Sequence, residues 1–119
     1  MNRRVMSQRR LPLSEYEGMW LFAMFDLPVV TATDRRNYAR FRKKLLEEGF
    51  MMLQFSVYAR YFPSEEASKG HRRRIRAALP PGGHVRLLHV TDHQFGKMEV
   101  YISRKREKPE QPPAQLTLL

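Results

Sequence analysis

The stretch that decides the fold is Met19-Trp20-Leu21-Phe22-Ala23-Met24-Phe25-Asp26-Leu27-Pro28. Seven apolar residues run without interruption into one carboxylate, and a proline two positions later ends the segment. The run is too short to span a membrane, and its aromatic content is typical of a fully buried central strand. Asp26 then lies where the strand leaves the sheet, which makes it the first candidate for a reactive or metal-binding group.

The composition predicts one basic domain. Its 119 residues suffice for a single core, and 22 Lys and Arg against 12 Asp and Glu give a formal net charge of +10. Such a charge on a small domain favours a polyanionic partner, most simply nucleic acid. An anionic membrane is the competing partner, but no amphipathic helix with an aromatic apolar face supports it. Because cysteine is absent, disulfides and thiolate zinc sites are excluded.

Residues 1–18 are predicted to form a basic N-terminal arm. The alternative is a disordered leader or a misassigned start, since Met6 and Met19 could also begin the chain. The arginines are followed by Pro12, Glu15 and Glu17, which do not fit a secretory signal, so a cytoplasmic protein is expected.

Two helices are predicted. The first is capped within residues 31–34 and ends at Gly49, with Tyr38, Phe41 and Leu45 on one face and cations opposite. The second opens at residues 63–66 and ends at the Pro-Pro-Gly-Gly sequence of residues 80–83. Its predicted inner face consists of Ala67, His71, Ile75 and Leu79.

Three further extended segments are predicted beside the first strand. Residues 50–62 form the second, with apolar and polar residues alternating from Gln54 onwards. Residues 85–91 form the third, a turn covers residues 92–97, and residues 98–103 form the fourth.

Two helices and about four antiparallel strands predict an α+β, ferredoxin-like βαββαβ sandwich with both helices on one sheet face. Trp20, Phe22 and Met24 then lie on the opposite face. Because no third helix is predicted to cover this face, a two-fold homodimer is expected. The core domain spans residues 19–103. Residues 104–119 form a proline-containing linker and a C-terminal edge strand at 115–119 that adds to another sheet, with a frayed end as the alternative.

Several segments occur together in the order found in a known family, and the sequence resembles CRISPR-associated protein two. They are Phe25-Asp26-Leu27-Pro28, the helix of residues 38–45 closing at Glu48-Gly49-Phe50, Gln54-Phe55-Ser56-Val57-Tyr58 and, in the form found in type II systems, a hairpin at residues 90–98 before the last core strand. The resemblance covers about residues 19–103 and does not include the basic arm.

The resemblance implies a homodimer in which Asp26 faces its symmetry mate across a cleft and is associated with a divalent metal, usually Mg²⁺. It implies metal-dependent endonuclease activity on RNA or DNA for some members. It also implies a role in spacer acquisition, where the dimer holds double-stranded DNA and bridges two dimers of the integrase subunit.

One Mg²⁺ shared between two Asp26 carboxylates is chemically reasonable, because Mg²⁺ prefers oxygen ligands and keeps most of its waters. It could polarise a phosphate and activate a water. The simpler alternative is that Asp26 only caps the turn before Pro28. Ser56 is a candidate supporting residue for this site, with a satisfied sheet hydroxyl as its alternative.

Helix cations are the candidate nucleic-acid contacts, because Lys and Arg that follow the phosphate backbone position a duplex without specifying sequence. For any single cation the alternative is a solvated helix face. No role is assigned to the four histidines. The candidates are Arg35, Arg36, Arg40, Arg42, Lys43, Lys44, Arg72, Arg73, Arg74 and Arg76.

Three functions remain open. The first is a DNA-binding subunit for spacer acquisition with Mg²⁺-linked endonuclease activity. The second is a free-standing, toxin-type ribonuclease on the same scaffold that acts on single-stranded RNA. The third is a generic RNA-binding ferredoxin-like module.

Overall fold

The computed structural model describes residues 18–113, so the predicted edge strand at 115–119 and nearly all of the arm lie outside the described residues. The chain forms a four-stranded sheet, two main helices and a small C-terminal hairpin. A short 3₁₀ turn at Glu66–Ser68 precedes the second helix. The elements are β1 Met19–Asp26, α1 Ala32–Glu47, β2 Met51–Gln54, β3 Val57–Phe62, α2 Lys69–Ala77, β4 His84–Thr91, α3 Asp92–Gly96, β5 Val100–Ile102 and β6 Lys105–Glu107.

The four-stranded sheet has the order β2-β3-β1-β4, and all neighbouring strands are antiparallel. Strand β1 is central, as its unbroken apolar run predicts. Leu21, Ala23 and Phe25 pack with Phe41 of α1 and Ile75 of α2 in one buried cluster. Both helices therefore cover the same face, and the predicted α+β, ferredoxin-like fold is confirmed.

The boundaries of α1 follow its capping residues. Thr31 Oγ1 accepts a hydrogen bond from Asp34 N at 3.0 Å, and Asp34 Oδ2 accepts one from Thr31 N at 3.1 Å. At the other end Gly49 has φ +84°, a conformation that costs glycine little. Phe41 and Leu45 are buried, so the predicted inner face is confirmed.

The second extended stretch was predicted wrongly as one strand. It is a hairpin whose turn contains Phe55 and Ser56, with Ser56 at φ 64°. Since a left-handed residue interrupts the pleat, the predicted alternation across residues 54–57 fails. Ser56 therefore lies in a turn and not on the polar side of a strand.

The prediction for the inner face of the second helix was also partly wrong. Ser64 Oγ accepts a hydrogen bond from Ala67 N at 3.2 Å, and a 3₁₀ turn shifts the phase of the following helix. As a result Ser68 is buried and Ala67 is exposed, whereas Ile75 is buried as predicted. Leu79 lies beyond α2 and is 47% exposed.

The sheet face opposite the helices is partly covered from within the chain. The predicted turn at residues 92–97 is the short helix α3, so the prediction of no third helix was wrong. The cause is a capping box between Thr91 and Gln94. Phe95 stacks on Trp20 with ring centroids 4.0 Å apart, and Trp20 Nε1 donates to Asp92 Oδ1 at 2.8 Å.

The predicted last core strand does not join the main sheet. Val100–Ile102 pairs instead with Lys105–Glu107 in a separate two-stranded sheet. The expected start of the linker, residue 104, falls in the turn of this hairpin. Among residues 18–113, no helix is long and apolar enough to cross a membrane.

Candidate metal site and nucleic-acid interface

Asp26 is the last residue of β1 and is exposed. By strand alternation it shares the face of Met24, away from the two main helices. Its partner across the β1–β4 ladder is His84. Asp26, His84, Met24, Phe25 and Arg86 line a shallow depression of about 400 Å³. Sequence reasoning gave His84 no role, and only the β1–β4 register brings it beside Asp26.

Two backbone contacts position the end of β1. Phe25 N donates to Ser56 O at 3.1 Å, which ties the residue before Asp26 to the β2–β3 turn. Gly83, at φ +82°, packs directly on the Asp26 carbonyl oxygen and on Leu27. The hydroxyl of Ser56 lies 3.2 Å from that of Tyr38 on α1. Ser56 therefore supports Asp26 through its backbone, and its hydroxyl bonds to the helix layer.

A single chain offers few side chains that could bind a metal ion at this site. Within residues 18–113, no group of three or more His, Cys, Asp or Glu side chains could hold a metal ion. The carboxylate of Asp26 makes no ion pair within that range and is open to solvent, so its oxygens can bind a hard cation. A divalent ion would need further oxygen ligands, from a second copy or from a phosphate.

The cations of α1 lie on its exposed side. Arg35 donates to Val29 O at 3.2 Å and to Val30 O at 2.9 Å, which fixes the loop after β1. Arg36 and Arg40 each bond to a neighbour three residues earlier on the chain, Thr33 Oγ1 at 3.1 Å and Asn37 Oδ1 at 3.4 Å. These three arginines keep further N–H donors directed to solvent.

Four of the predicted cations are exposed and make no hydrogen bond or ion pair within the described part of the chain. They lie on the outer surface of both helices, so they can meet phosphates without breaking an internal contact. These residues are Arg42, Lys43, Arg73 and Arg76.

Arg74 already has an ion-pair partner within the chain, although its own side chain is 49% exposed. Its Nε lies 3.1 and 3.0 Å from the two carboxylate oxygens of Glu48, whose side chain is 8% exposed. The hydrogen bond from Arg74 is the main reason that the pKa of Glu48 falls to about 2. Burial opposes this shift, and a hydrogen bond from His71 assists it. Lys44 Nζ, 3.4 Å from Glu48, completes the cluster, which ties α1 to α2.

Arg72 also has a structural partner. Its Nε donates to Ser68 Oγ at 3.0 Å, and Ser68 Oγ donates to Glu65 O at 2.7 Å. His89 Nε2 lies 3.0 Å from the same oxygen. Burial is the main cause that lowers the pKa of His89. Arg72 and Arg74 therefore hold α2 in place and are less available to phosphates than Arg73 and Arg76.

The family model for CRISPR associated protein Cas2 matches residues 19–98. The chain belongs to the Cas2 family. A relative from Parvibaculum lavamentivorans, named CRISPR-associated endoribonuclease Cas2, is 51% identical over 100 residues, covering 84% of this chain and 99% of the relative. A relative of the same name from Flavobacterium psychrophilum is 42% identical over 106 residues, covering 89% of this chain and 92% of its own length.

A third Cas2 relative, from Lacticaseibacillus rhamnosus, bears the same name and is 43% identical over 89 residues, which cover 75% of this chain and 88% of the relative. The resemblance seen in the sequence is thus confirmed at the level of the family. The match to the family model ends at Met98, before the β5–β6 hairpin.

Proposed function

We propose that this chain is the Cas2 subunit of a CRISPR spacer-acquisition machinery. It binds double-stranded DNA as a homodimer, bridges dimers of the integrase subunit, and carries Mg²⁺-dependent phosphodiesterase activity at Asp26. The observation that carries this proposal is the position of Asp26, an exposed carboxylate on the one sheet face that the main helices leave open. This role would place the protein in the cytoplasm.

The uncovered sheet face supports a two-fold homodimer. Phe22, Met24 and Val57 on this face are only half-buried, and Leu88 beside them is 51% exposed. A contiguous apolar surface of this kind is stabilised by burial against a partner. A second copy related by a two-fold axis supplies a matching apolar surface and brings a second Asp26 to the same cleft.

The chain's residues fit a shared hard cation once two carboxylates converge. When bound there, Mg²⁺ would polarise a phosphate and lower the pKa of a bound water. Asp26 would hold the ion through its carboxylate oxygens. His84, which lines the same depression, could accept or return a proton through either ring nitrogen.

Duplex binding is supported by the outer surface of α1 and α2. Arg42, Lys43, Arg73 and Arg76 project there without internal partners among the described residues. Contacts of this type neutralise phosphates and release counterions, so affinity should fall steeply as salt rises. They read no bases, which suits a subunit that must hold DNA of any sequence.

A second candidate function is a free-standing endoribonuclease. The observation in its favour is that the curated relatives are named endoribonucleases. Asp26 would serve the same chemistry on single-stranded RNA, and neither duplex DNA nor an integrase would be needed.

The deciding experiment mixes the protein with the integrase subunit and a DNA duplex, and measures co-elution and integration for wild type and Asp26→Asn. Cleavage of RNA and DNA with and without Mg²⁺ is measured in parallel. Co-elution of wild type with both components supports the spacer-acquisition role. If wild type binds neither one yet cleaves RNA with Mg²⁺, the ribonuclease function replaces it.

Asp26→Asn distinguishes a structural role of the protein from a catalytic one. The side chain is exposed, so loss of its charge should leave the fold intact. Loss of Mg²⁺-dependent cleavage with retained assembly would support the metal site. Cleavage equal to wild type in the variant would show that another site, or a contaminating nuclease, is responsible.

A further inference from the structure

We infer that Phe55, stacked on Tyr38, binds one unpaired nucleobase of a nucleic acid whose phosphate lies at Asp26. We call Tyr38 and Phe55 the aromatic platform. The inference rests on the proposed nucleic-acid binding and deepens it, because it names a residue that positions a single-stranded segment beside the metal site.

Phe55 is an exposed aromatic residue that the fold holds in a fixed position. It is 79% exposed and lies in the β2–β3 turn, where Ser56 has φ 64°. Phe25 N donates to Ser56 O at 3.1 Å, which ties this turn to β1. The hydroxyls of Ser56 and Tyr38 lie 3.2 Å apart, which ties it to α1. The turn is therefore anchored to two elements, although the ring that it carries is open to solvent.

Three aromatic rings lead from the core to the solvent. Phe25 is buried and packs edge-on against the half-buried Tyr38, with ring centroids 5.8 Å apart. Tyr38 in turn stacks on Phe55, with centroids 6.0 Å apart and an angle of 22° between the ring planes. This stack occupies one face of the Phe55 ring and leaves the other face to solvent. A ring held in this way is preorganised to accept a flat partner on its open face.

Strand register places the aromatic platform next to Asp26. Met24 pairs with Val57 on β3, and Asp26 pairs with His84 on β4. Phe55 precedes Val57 by two residues, as Asp26 follows Met24 by two, so Phe55 lies one strand away from Asp26. Neighbouring strands are about 5 Å apart, a distance that one nucleotide spans between its phosphate and its base. A single strand can therefore place a phosphate at Asp26 and a base on the aromatic platform.

An unpaired base fits this ring better than the other partners do. The bases of a duplex already stack on one another, whereas an unpaired base presents a free π-face, and stacking accepts a base of any sequence. A docking surface for a protein is a wide apolar patch, but Phe55 stands between the polar residues Gln54 and Ser56. The net charge of +10 attracts the phosphates of the strand that carries the base.

The test measures single-strand affinity by fluorescence anisotropy without Mg²⁺. The probes are labelled oligothymidylate, labelled oligouridylate and an abasic strand of the same length. Phe55→Ala should weaken binding of the two base-bearing strands by about tenfold, and of the abasic strand by less than about twofold. The slope of log affinity against log salt should stay the same, because no charge is removed. A merely structural role of Phe55 would change the binding of all three probes alike.

Three further variants isolate the aromatic face. Phe55→Trp keeps a stacking ring and should keep the affinity for base-bearing strands. Phe55→Leu keeps an apolar side chain without a ring and should behave like Phe55→Ala. The matched control is Val30→Ala, because Val30 is 83% exposed in the loop that follows β1 but has no ring. This control should leave the affinity for every probe unchanged.

The outcomes separate this inference from the function on which it rests. Oligothymidylate binding equal to wild type in Phe55→Ala or in Phe55→Leu overturns the base contact. The proposed duplex binding still stands in that case if Arg42→Gln/Lys43→Gln weakens binding to a DNA duplex. Absence of salt-dependent binding of every strand and duplex by wild type overturns both.

Two other results would assign the ring to a protein contact and also overturn the inference. One is a changed mass of Phe55→Ala by light scattering, which would place Phe55 between two copies of the chain. The other is loss of co-elution with the integrase subunit while the affinity for oligothymidylate stays at the wild-type value.

Discussion

Asp26 and His84 lie directly opposite each other at the end of the β1–β4 ladder. Both are exposed, and both line the depression on the sheet face away from the main helices. The pair places a carboxylate and an imidazole side by side, the combination that metal-assisted or acid–base hydrolysis can use. It arises from residues 58 positions apart in the sequence, so only the fold reveals it.

We predict that His84→Gln lowers Mg²⁺-dependent cleavage by about 10²-fold, because glutamine can hydrogen-bond but cannot carry a proton. Assembly with DNA should remain, since the side chain is exposed. Single-turnover cleavage by wild type, His84→Gln and the control His93→Gln measures the effect, because His93 belongs to α3, which begins at the Thr91 end of β4. Equal rates in all three would remove His84 from the chemistry.

A second prediction concerns the uncovered sheet face. Leu88→Lys places like charges on both sides of a two-fold interface and should convert a dimer to a monomer at micromolar concentration. The matched control is Leu79→Lys, because Leu79 is 47% exposed, similar to 51% for Leu88, but follows α2 on the other side of the sheet. Light scattering distinguishes the two masses. A dimer that tolerates Leu88→Lys would place the interface elsewhere.

Most of the fold could be predicted because the sequence features that specify its helices and strands are local. The apolar run of β1, the Thr31 cap and Gly49 each act within a few residues. The errors arose where one residue changed the phase of a pattern, as Ser56 does with its positive φ. Thr91 and Gln94 likewise turn an apparent loop into α3.

The candidate site could be predicted only in part. Asp26 follows from its place at the end of an apolar strand. Its neighbour His84 depends on strand register, which periodicity does not fix. The roles of Arg72 and Arg74 depend on contacts with Ser68 and Glu48 that a sequence does not show. Residues 104–107 were predicted to begin a linker, because β5 and β6 are each only three residues long and too short to show a strand pattern in the sequence.

The third prediction concerns stability at low pH. The folded-state pKa of Glu48 is about 2, lowered from 4.5, so its charge stabilises the fold above about pH 4.5. This contribution should be lost as pH falls from about 4.5 to about 2, because the unfolded chain binds the proton first. Glu48→Gln should lower the free energy of unfolding by about 2 kcal/mol at pH 7. The variant should also lack the part of the pH dependence that comes from the ionisation of Glu48.

Urea unfolding of wild type and Glu48→Gln across this pH range isolates the Glu48 contribution as the difference between the two curves. The control is Glu47→Gln, which alters the exposed neighbouring carboxylate. A constant difference from pH 7 to pH 2 would show that the Arg74 contact does not govern the ionisation of Glu48.

The last prediction concerns the two adjacent glycines before β4. A Cβ at Gly83 would collide with the Asp26 carbonyl oxygen and lie 2.9 Å from Leu27 Cα, and its φ of +82° is strained for alanine. Gly83→Ala should therefore lower the free energy of unfolding by about 2 kcal/mol or more and displace the end of β1. A Cβ at Gly82 would meet only Pro28 Cγ, at 3.7 Å, so Gly82→Ala should change the free energy of unfolding by no more than about 0.5 kcal/mol.

The same two variants test the link between this turn and the proposed metal site. Because Gly83→Ala should move Asp26 and Gly82→Ala should not, only Gly83→Ala should also reduce Mg²⁺-dependent cleavage under conditions where both variants are folded. Thermal melts and cleavage rates of the pair test this link, and equal behaviour of the two variants would contradict it.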